Sequence, residues 1–558
     1  MASQPIQPPR AVSDPEYPPT REPRDGAAAF SGRWAWIIPN LTVFISSLCI
    51  MVVELVAGRL IARHVGSSLY TWTSVIGIVL AGIAAGNYIG GRLADRYRAR
   101  EALASLFLLA SAACLLIPLF NERIGSAQLL RSQEWALRIA MHVFFVFFLP
   151  SAMMGTISPV AAKMALEMSR HTGRTVGSIY SWGAVGSIVG TFLTGYFLIA
   201  RMGTVAVLLC VAAVLLAMAL FFGAKSLLPY IWSGVVLACF LASMGPWGWS
   251  QTIGMRLGLR ERTGETIHFQ EESQYSFIRI EDEPEMEGVT RSMTLDYLIH
   301  AYIDMDDPDR LHYEYEQVYA GLTELASSDW PPERKPRALS LGGGGFVFPR
   351  WMSRRWPGAY IEVAELDPAV TRAAFGAFGL SPQTPLRIFN LDARNHVDNL
   401  LMAMQQGAGA GQFDLVYGDA FNNYSPPFHL TTYEFNEKVR RLMNPHGVFL
   451  ANVIDIYRSG RFIGAMLNTF EKSFSHVYVL GTTVTQPTDE DGRDTFVVVG
   501  ANRPLPFEKY DWIRYPGPLL EAEQLATLRE RSQGLVLTDD FAPVDNLLEP
   551  VIRYSEKR

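Results

Sequence analysis

The sequence predicts two architectures in one chain: an α-helical multi-pass membrane bundle, then an α/β doubly wound, Rossmann-like domain that opens with a small β-hairpin unit. Three observations carry this expectation. Apolar stretches of about 20 residues, the length that crosses a bilayer, fill the first half. In the second half short β-like runs alternate with helical ones, the mark of a mostly parallel sheet. Charge divides with them: residues 1–260 carry 20 basic and 10 acidic side chains and residues 261–558 carry 28 and 44, so local balances of +10 and −16 lie beneath a net charge of −6. At 558 residues, 49% hydrophobic and 18% charged, the chain is too long for one ordinary core and too apolar for a disordered or fibrous protein. The acidic second half argues against a nucleic-acid partner.

Residues 1–33 hold Pro5, Pro8, Pro9, Pro15, Pro18, Pro19 and Pro23 and no apolar stretch, so they read as a disordered tail and not as a cleaved signal peptide. Residues 34–250 contain seven candidate spans, at 35–57, 70–91, 102–120, 138–160, 176–200, 204–223 and 227–248. Close-set glycines (Gly82, Gly86 and Gly90; Gly183, Gly186 and Gly190) let helix backbones approach where no hydrophobic effect drives packing. Arg92, Arg96, Arg98 and Arg100 follow the second span, and Lys163, Arg170 and Arg174 follow the fourth, so these loops and the tail are expected in the cytoplasm. Seven spans from that start would leave the second half outside, although its chemistry is expected to be cytoplasmic, and the count leaves this conflict open. Glu54 and Arg59 read as an interfacial pair or as snorkelling side chains. Cys49, Cys114, Cys210 and Cys239 all lie in apolar runs, which excludes a disulfide framework, and no histidine spacing suits a metal, so no metal site is expected.

Residues 260–335 read as the small β unit plus a helix near 312–326, closed by the linker Pro331-Pro332-Glu333-Arg334-Lys335-Pro336. Residues 336–558 form the doubly wound domain, with strands at 338–341, 359–364, 386–389, 413–417 and 447–453, and later ones near 475–480 and 495–499. Ligands of such sheets sit at the carboxyl ends of the strands. There Gly342, Gly343, Gly344 and Gly345 permit a tight turn and close approach to a ligand. Glu365 ends the second strand, where an acidic side chain takes hydrogen bonds from ribose hydroxyls, and Asp367 before Pro368 suits a helix cap. Asp392, before Ala393 and Arg394, suits either an adenine amino group or another cap. Asp419, at the tip of the fourth strand, is a candidate base or cation holder.

Taken together, the small β unit, the glycine turn, Val363-Ala364-Glu365-Leu366-Asp367, Leu391-Asp392-Ala393-Arg394 and Phe413-Asp414-Leu415-Val416-Tyr417-Gly418-Asp419 resemble the spermidine synthases, the polyamine aminopropyltransferases, and especially their membrane-fused relatives. The stretch Gly90-Gly91-Arg92-Leu93-Ala94-Asp95-Arg96 resembles a loop of major facilitator transporters. The first resemblance implies a methyltransferase-type Rossmann fold and a membrane-bound enzyme that moves an aminopropyl group from decarboxylated S-adenosylmethionine to an amine. It implies cofactor contacts from Gly342, Gly343, Gly344, Glu365, Asp392 and Ala393, a base in Asp419, and substrate contacts from Tyr275, Asp296, Tyr313, Glu314 and Asn422. His312-Tyr313-Glu314-Tyr315 aligns with the family's tyrosine and glutamate in two ways. The implied partners are a small amine or polyamine and the lipid bilayer, with a homo-oligomer left open.

Two departures stand out. The family's glycine turn carries an aspartate as its fourth residue, where this chain has Gly345, which removes a discriminator against ordinary S-adenosylmethionine and keeps methyl transfer as an alternative. The family's second aspartate after the catalytic one is Asn422 here, which makes putrescine a poor expectation as acceptor. A third alternative is a transporter or sensor that binds a nucleoside or polyamine without turnover.

Overall fold

The computed structural model describes residues 33–551, apart from short stretches at 128–129, 131–132, 134, 170, 224–226, 262, 332, 408–410, 423, 483–491 and 516. The proline-rich tail therefore lies outside the described residues, except for Arg33, which opens the first helix. The helical half runs α1 (Arg33–Val65), α2 (Leu69–Arg96), α3 (Ala99–Gly125), α4 (Trp135–Gly155), α5 (Ile157–Glu167), α6 (Thr172–Leu193), a π-helical turn (Thr194–Leu198), α7 (Ile199–Met202), α8 (Thr204–Gly223), α9 (Leu228–Met244) and α10 (Gly248–Arg256). Among the described residues six helices are long and apolar enough to cross a membrane, and α9 with α10, bent by 103° at their junction, would make a seventh.

The glycine stripes do what their spacing predicts. A Cβ at Gly82, Gly86 or Gly90 would come within 2.8, 2.2 or 2.5 Å of the Phe148, Ala152 or Thr156 carbonyl oxygen, so α2 lies directly on α4 and the start of α5. Gly186 and Gly190 similarly seat α6 on the Phe44 and Leu48 carbonyls of α1, at 2.3 and 2.7 Å. These contacts are backbone to backbone, and any side chain would push the helices apart.

The bundle has two distinct ends. At one lie the basic loops, where Lys163 Nζ donates to the Ala94 carbonyl at 2.6 Å and Arg100 Nε to the Phe222 carbonyl at 3.1 Å. The start of α1 is there too, with Ser178 Oγ donating to Asn40 Oδ1 at 2.9 Å. At the other end Asn121 Nδ2 donates to the Leu60 carbonyl at 3.3 Å, and this is where the second half docks. Arg63 pairs with Glu261 and with Glu272, the latter at 2.6 Å, while Glu272 Oε2 also accepts from the Thr204 amide at 3.0 Å. Arg59, expected to pair with Glu54 or snorkel, instead donates to the Ser273 carbonyl at 3.0 Å and to the Tyr275 carbonyl.

The second half starts with a four-stranded antiparallel sheet, β1 (Ile267–Glu272), β2 (Phe277–Asp282), β3 (Thr290–Leu295) and β4 (Leu298–Asp304), two strands more than the hairpin the sequence predicts. Then come α11 (Glu314–Ser327), β5 (Arg337–Leu341), α12 (Val347–Arg355), β6 (Tyr360–Ala364), α13 (Pro368–Ala377), β7 (Arg387–Phe389), α14 (Ala393–Gln405), β8 (Phe413–Gly418), α15 (Tyr433–Leu442), β9 (Met443–Asp455), α16 (Phe462–Ser473), β10 (His476–Gly481), β11 (Asp494–Ala501), α17 (Ala522–Arg531) and α18 (Val544–Leu547). The seven-stranded sheet has the order β10-β11-β9-β8-β5-β6-β7, with β5 to β9 parallel and β10 and β11 antiparallel. The chain turns right to β6 and later left to β8 from β5. That reversal opens a crevice at the ends of β5, β6 and β8.

Candidate active site

The crevice begins where β5 runs into the glycine turn. Gly342 has a φ of +110°, and a Cβ there would lie 2.2 Å from the Asp419 carbonyl oxygen, so only glycine lets the turn pass the tip of β8. The turn's amides point into a carboxylate: Glu365 Oε2 accepts from Gly343 N at 3.0 Å and from Gly344 N at 3.1 Å, and Oε1 accepts from Asp367 N at 2.9 Å. Burial nonetheless raises the Glu365 pKa to about 7. Asp367 caps α13 through Ala369 N at 2.8 Å, as its place before Pro368 predicts, and also accepts from Ser273 Oγ in the β1–β2 hairpin.

Asp419 sits at the tip of β8. Its Oδ2 accepts from the Tyr315 hydroxyl at 2.9 Å and its Oδ1 from Asn452 Nδ2 at 2.8 Å, and burial raises its pKa above the ordinary aspartate value despite both bonds. Two cavities meet there. A small enclosed one, about 20 Å³, lies against Gly342 to Gly345, Glu316 and Tyr319. A wider one, about 560 Å³, is bounded by aromatic rings including Tyr297, Tyr302, Tyr313 and Tyr424. His300, Tyr315, Gly344 and Asp419 line both. Burial lowers the His300 pKa to about 4, so the imidazole is neutral at physiological pH.

Asp392 serves as the cap of α14, accepting from Arg394 N at 2.9 Å and Asn395 N at 3.1 Å through Oδ1. Its free oxygen meets His429 Nε2 at 3.0 Å, an interaction that lowers the carboxyl pKa. Ala393 is buried as the first residue of that helix. The acidic C-terminal turn braces this loop: Arg394 Nη1 donates both to Asp539 Oδ1 at 2.7 Å and to the His429 carbonyl at 2.9 Å.

The substrate-side expectations divide. Tyr313 lines the wide cavity and donates to the Ile299 carbonyl at 2.9 Å. Glu314 is exposed and lines neither cavity; of the two alignments of His312-Tyr313-Glu314-Tyr315, the geometry favours the one that brings Tyr315 and Glu316 inward. Asn422 is exposed and closes a small turn with Ser425, so Phe421 and Tyr424 flank the cavity instead. Tyr275 is 46% exposed, at the hairpin tip held by Arg59. Asp296, with a φ of +56°, accepts from Phe277 N at 2.9 Å and so fixes the hairpin without lining either cavity. Sequence reasoning passed over His300, Glu316 and Asn452 as site residues. Only the helical phase of α11, with Tyr315 and Glu316 beginning its buried face, signals the second of these.

The sequence comparisons follow this division. The model described as the MFS_1 like family matches residues 63–231. A polyamine aminopropyltransferase from Vibrio vulnificus is 30% identical over 149 residues, 27% of this chain and 46% of its own length. An eEF1A lysine and N-terminal methyltransferase from Xenopus laevis is 25% identical over 141 residues, 25% of this chain and 20% of that protein. The chain thus spans about half the length of the first of these relatives and a fifth of the second. Among solved structures, a probable spermidine synthase from Corynebacterium glutamicum aligns over 51% of this chain and 98% of its own, at 18% identity and a TM-score of 0.42. The chain is therefore similar to a major-facilitator-like helical region in its first half and to the spermidine synthases in its C-terminal part, the two parts of a multi-pass fusion.

Proposed function

We propose that this protein is a membrane-bound aminopropyltransferase that uses decarboxylated S-adenosylmethionine and an amine acceptor. The observation that carries the reading is Asp419, a half-buried carboxylate at the junction of the two cavities, held from both sides by Tyr315 and Asn452. Its demand is chemical: an aliphatic amine with a pKa of about 10 is mostly protonated at neutral pH and is no nucleophile until a proton leaves. Asp419 accepts that proton as the amine nitrogen forms a bond to the propyl carbon; the carbon–sulfur bond breaks, and the sulfur leaves with its electron pair as neutral methylthioadenosine. The raised pKa of the aspartate narrows the gap to the amine and eases the transfer. The donor's nucleoside fits the glycine turn, with Glu365 turning its oxygens from the Gly343 and Gly344 amides toward ribose hydroxyls. The test is methylthioadenosine release by the purified full chain given the donor and a panel of amines; Asp419→Asn should slow it by about 10²-fold or more, and full turnover by that variant would overturn the reading.

One observation favours a second reading. The catalytic-type half docks at the end of the bundle opposite Arg92, Arg96, Arg98, Arg100 and Lys163. With those basic loops in the cytoplasm, that end faces outward, away from a donor made in the cytosol. A transporter or sensor that binds a polyamine or nucleoside without turnover suits that orientation. A reporter fusion at Arg558 tests it: an external terminus together with no methylthioadenosine release supports this reading, and a cytoplasmic terminus removes its basis.

A further inference from the structure

Glu316 is only 3% exposed, and its Oε2 has no hydrogen-bond partner. It lines the small cavity together with Gly342 to Gly345 and Asp419. Burial and the neighbouring Asp419 charge both raise its pKa. The Arg350 guanidinium is near enough to oppose that rise, but its Nη1 donates to the Phe378 carbonyl at 3.1 Å, its Nε and Nη2 have no hydrogen-bond partner, and so it does not hydrogen-bond to Glu316 Oε2. A buried carboxylate oxygen without a donor is costly, and native proteins keep one where something else completes it.

The same cavity explains why no acidic side chain stands at residue 345. A Cβ there would sit 2.3 Å from Phe378 Cε1 and 2.8 Å from Ala301 Cβ, so the turn's fourth position cannot carry one in this packing. The acidic groups on this cavity are Glu316 and Asp419 instead.

We propose that Glu316 is the specificity residue that receives the terminal ammonium of the donor's transferred chain, and so selects an adenosyl sulfonium bearing an alkylammonium over one bearing an amino-acid carboxylate. This deepens the aminopropyltransferase reading and rests on it. An ammonium donates to Glu316 Oε2 and lies between two carboxylates, Glu316 and Asp419. A donor that retains its carboxylate brings a third negative charge into an enclosed space, which like-charge repulsion disfavours. The wider cavity, which Asp419 also lines, is left to the acceptor, so Glu316 serves the donor's ammonium alone while Asp419 faces both amines.

The experiment is titration calorimetry on the detergent-solubilised full chain with three probes: methylthioadenosine, which lacks the charged tail, decarboxylated S-adenosylmethionine, and S-adenosylmethionine. The wild type should bind the decarboxylated form at least about tenfold more tightly than the carboxylated one. Glu316→Gln should erase that preference while leaving methylthioadenosine affinity unchanged, and Glu316→Asp, which keeps the charge, should retain part of it. Equal preference in wild type and Glu316→Gln overturns the proposal, as does an equal loss of all three ligands. Absence of methylthioadenosine binding to the wild type overturns the nucleoside reading itself, and the specificity role falls with it; normal methylthioadenosine binding without donor preference overturns the specificity role alone.

Discussion

The hydroxyl of Tyr315 donates to Asp419 Oδ2 at 2.9 Å, so a side chain from the helix preceding the doubly wound sheet holds the carboxylate at the tip of its central strand. Asn452 grips the other oxygen. Tyr315→Phe should lower kcat by about tenfold with a smaller change in KM, whereas Asp419→Asn should cost about 10²–10⁴-fold, in the range of a lost general base. Methylthioadenosine release under saturating donor measures both.

The pH dependence carries a sign. Burial raises the Asp419 pKa, and the Tyr315 bond opposes that rise by favouring the charged form. The acid limb of kcat/KM should therefore fall at a pH above the ordinary aspartate value, and Tyr315→Phe should move it further up. A limb that moves down in the variant would contradict this assignment of the titrating group.

Glu365 couples pH to stability. Its pKa in the folded protein, about 7, is above the unfolded carboxyl value, so folding takes up a proton; the stabilisation is complete below the unfolded pKa and is lost as pH rises through about 7. Thermal melts of the full chain between pH 5 and 8 should show the wild type losing stability with rising pH more steeply than Glu365→Gln.

Restoring an aspartate in the glycine turn should fail. Gly345→Asp drives a Cβ into Phe378 and Ala301, and overpacking of this kind costs about 1–3 kcal/mol. The double change Gly345→Asp with Phe378→Ala should recover some of the clash energy, a non-additivity that a thermal-melt cycle reads directly.

Ion pairs contribute to the docking of the two halves. Arg63 joins Glu261 and Glu272, and its ring contact with Phe277 at 4.6 Å adds a cation–π component. Removing one partner of a well-shielded pair costs about 3–5 kcal/mol, because the other charge is left buried. Arg63→Ala should lower the melting temperature and speed limited proteolysis near residues 257–266, and Glu272→Gln should do so less once Arg63 is already gone.

Much of the fold is legible in the chain because physics leaves few options. A bilayer fixes the length of an apolar run, and glycines three to four residues apart have no purpose in a lone helix but an obvious one where α2 meets α4. The strand tips are legible because a doubly wound sheet brings them to one edge: the glycine turn, Glu365 and Asp419 lie side by side there. What stays hidden depends on tertiary phase. Four letters, His312 to Tyr315, do not reveal which face of α11 turns inward, and the answer includes Glu316. Asp392 reads as a cap from its neighbours, but its partner His429 is 37 residues away and reaches it only through a loop that Arg394 and Asp539 brace. Asn452 is one polar residue in an apolar strand until β9 is laid beside β8.

The hold of Arg59 on the hairpin makes the glycine turn sensitive to surgery on the chain. From its guanidinium the hydrogen bonds run through Ser273 to Asp367, from the Asp367 amide to Glu365, and from Glu365 to the Gly343 and Gly344 amides. An excised fragment beginning at residue 260 would keep every group named for the chemistry and lose the donor that anchors the first link. Its hairpin carbonyls would turn to water, and the Glu365 carboxylate would be held by a loosened tether. Kinetics measured on such a fragment would describe a different pocket from the one the full chain maintains.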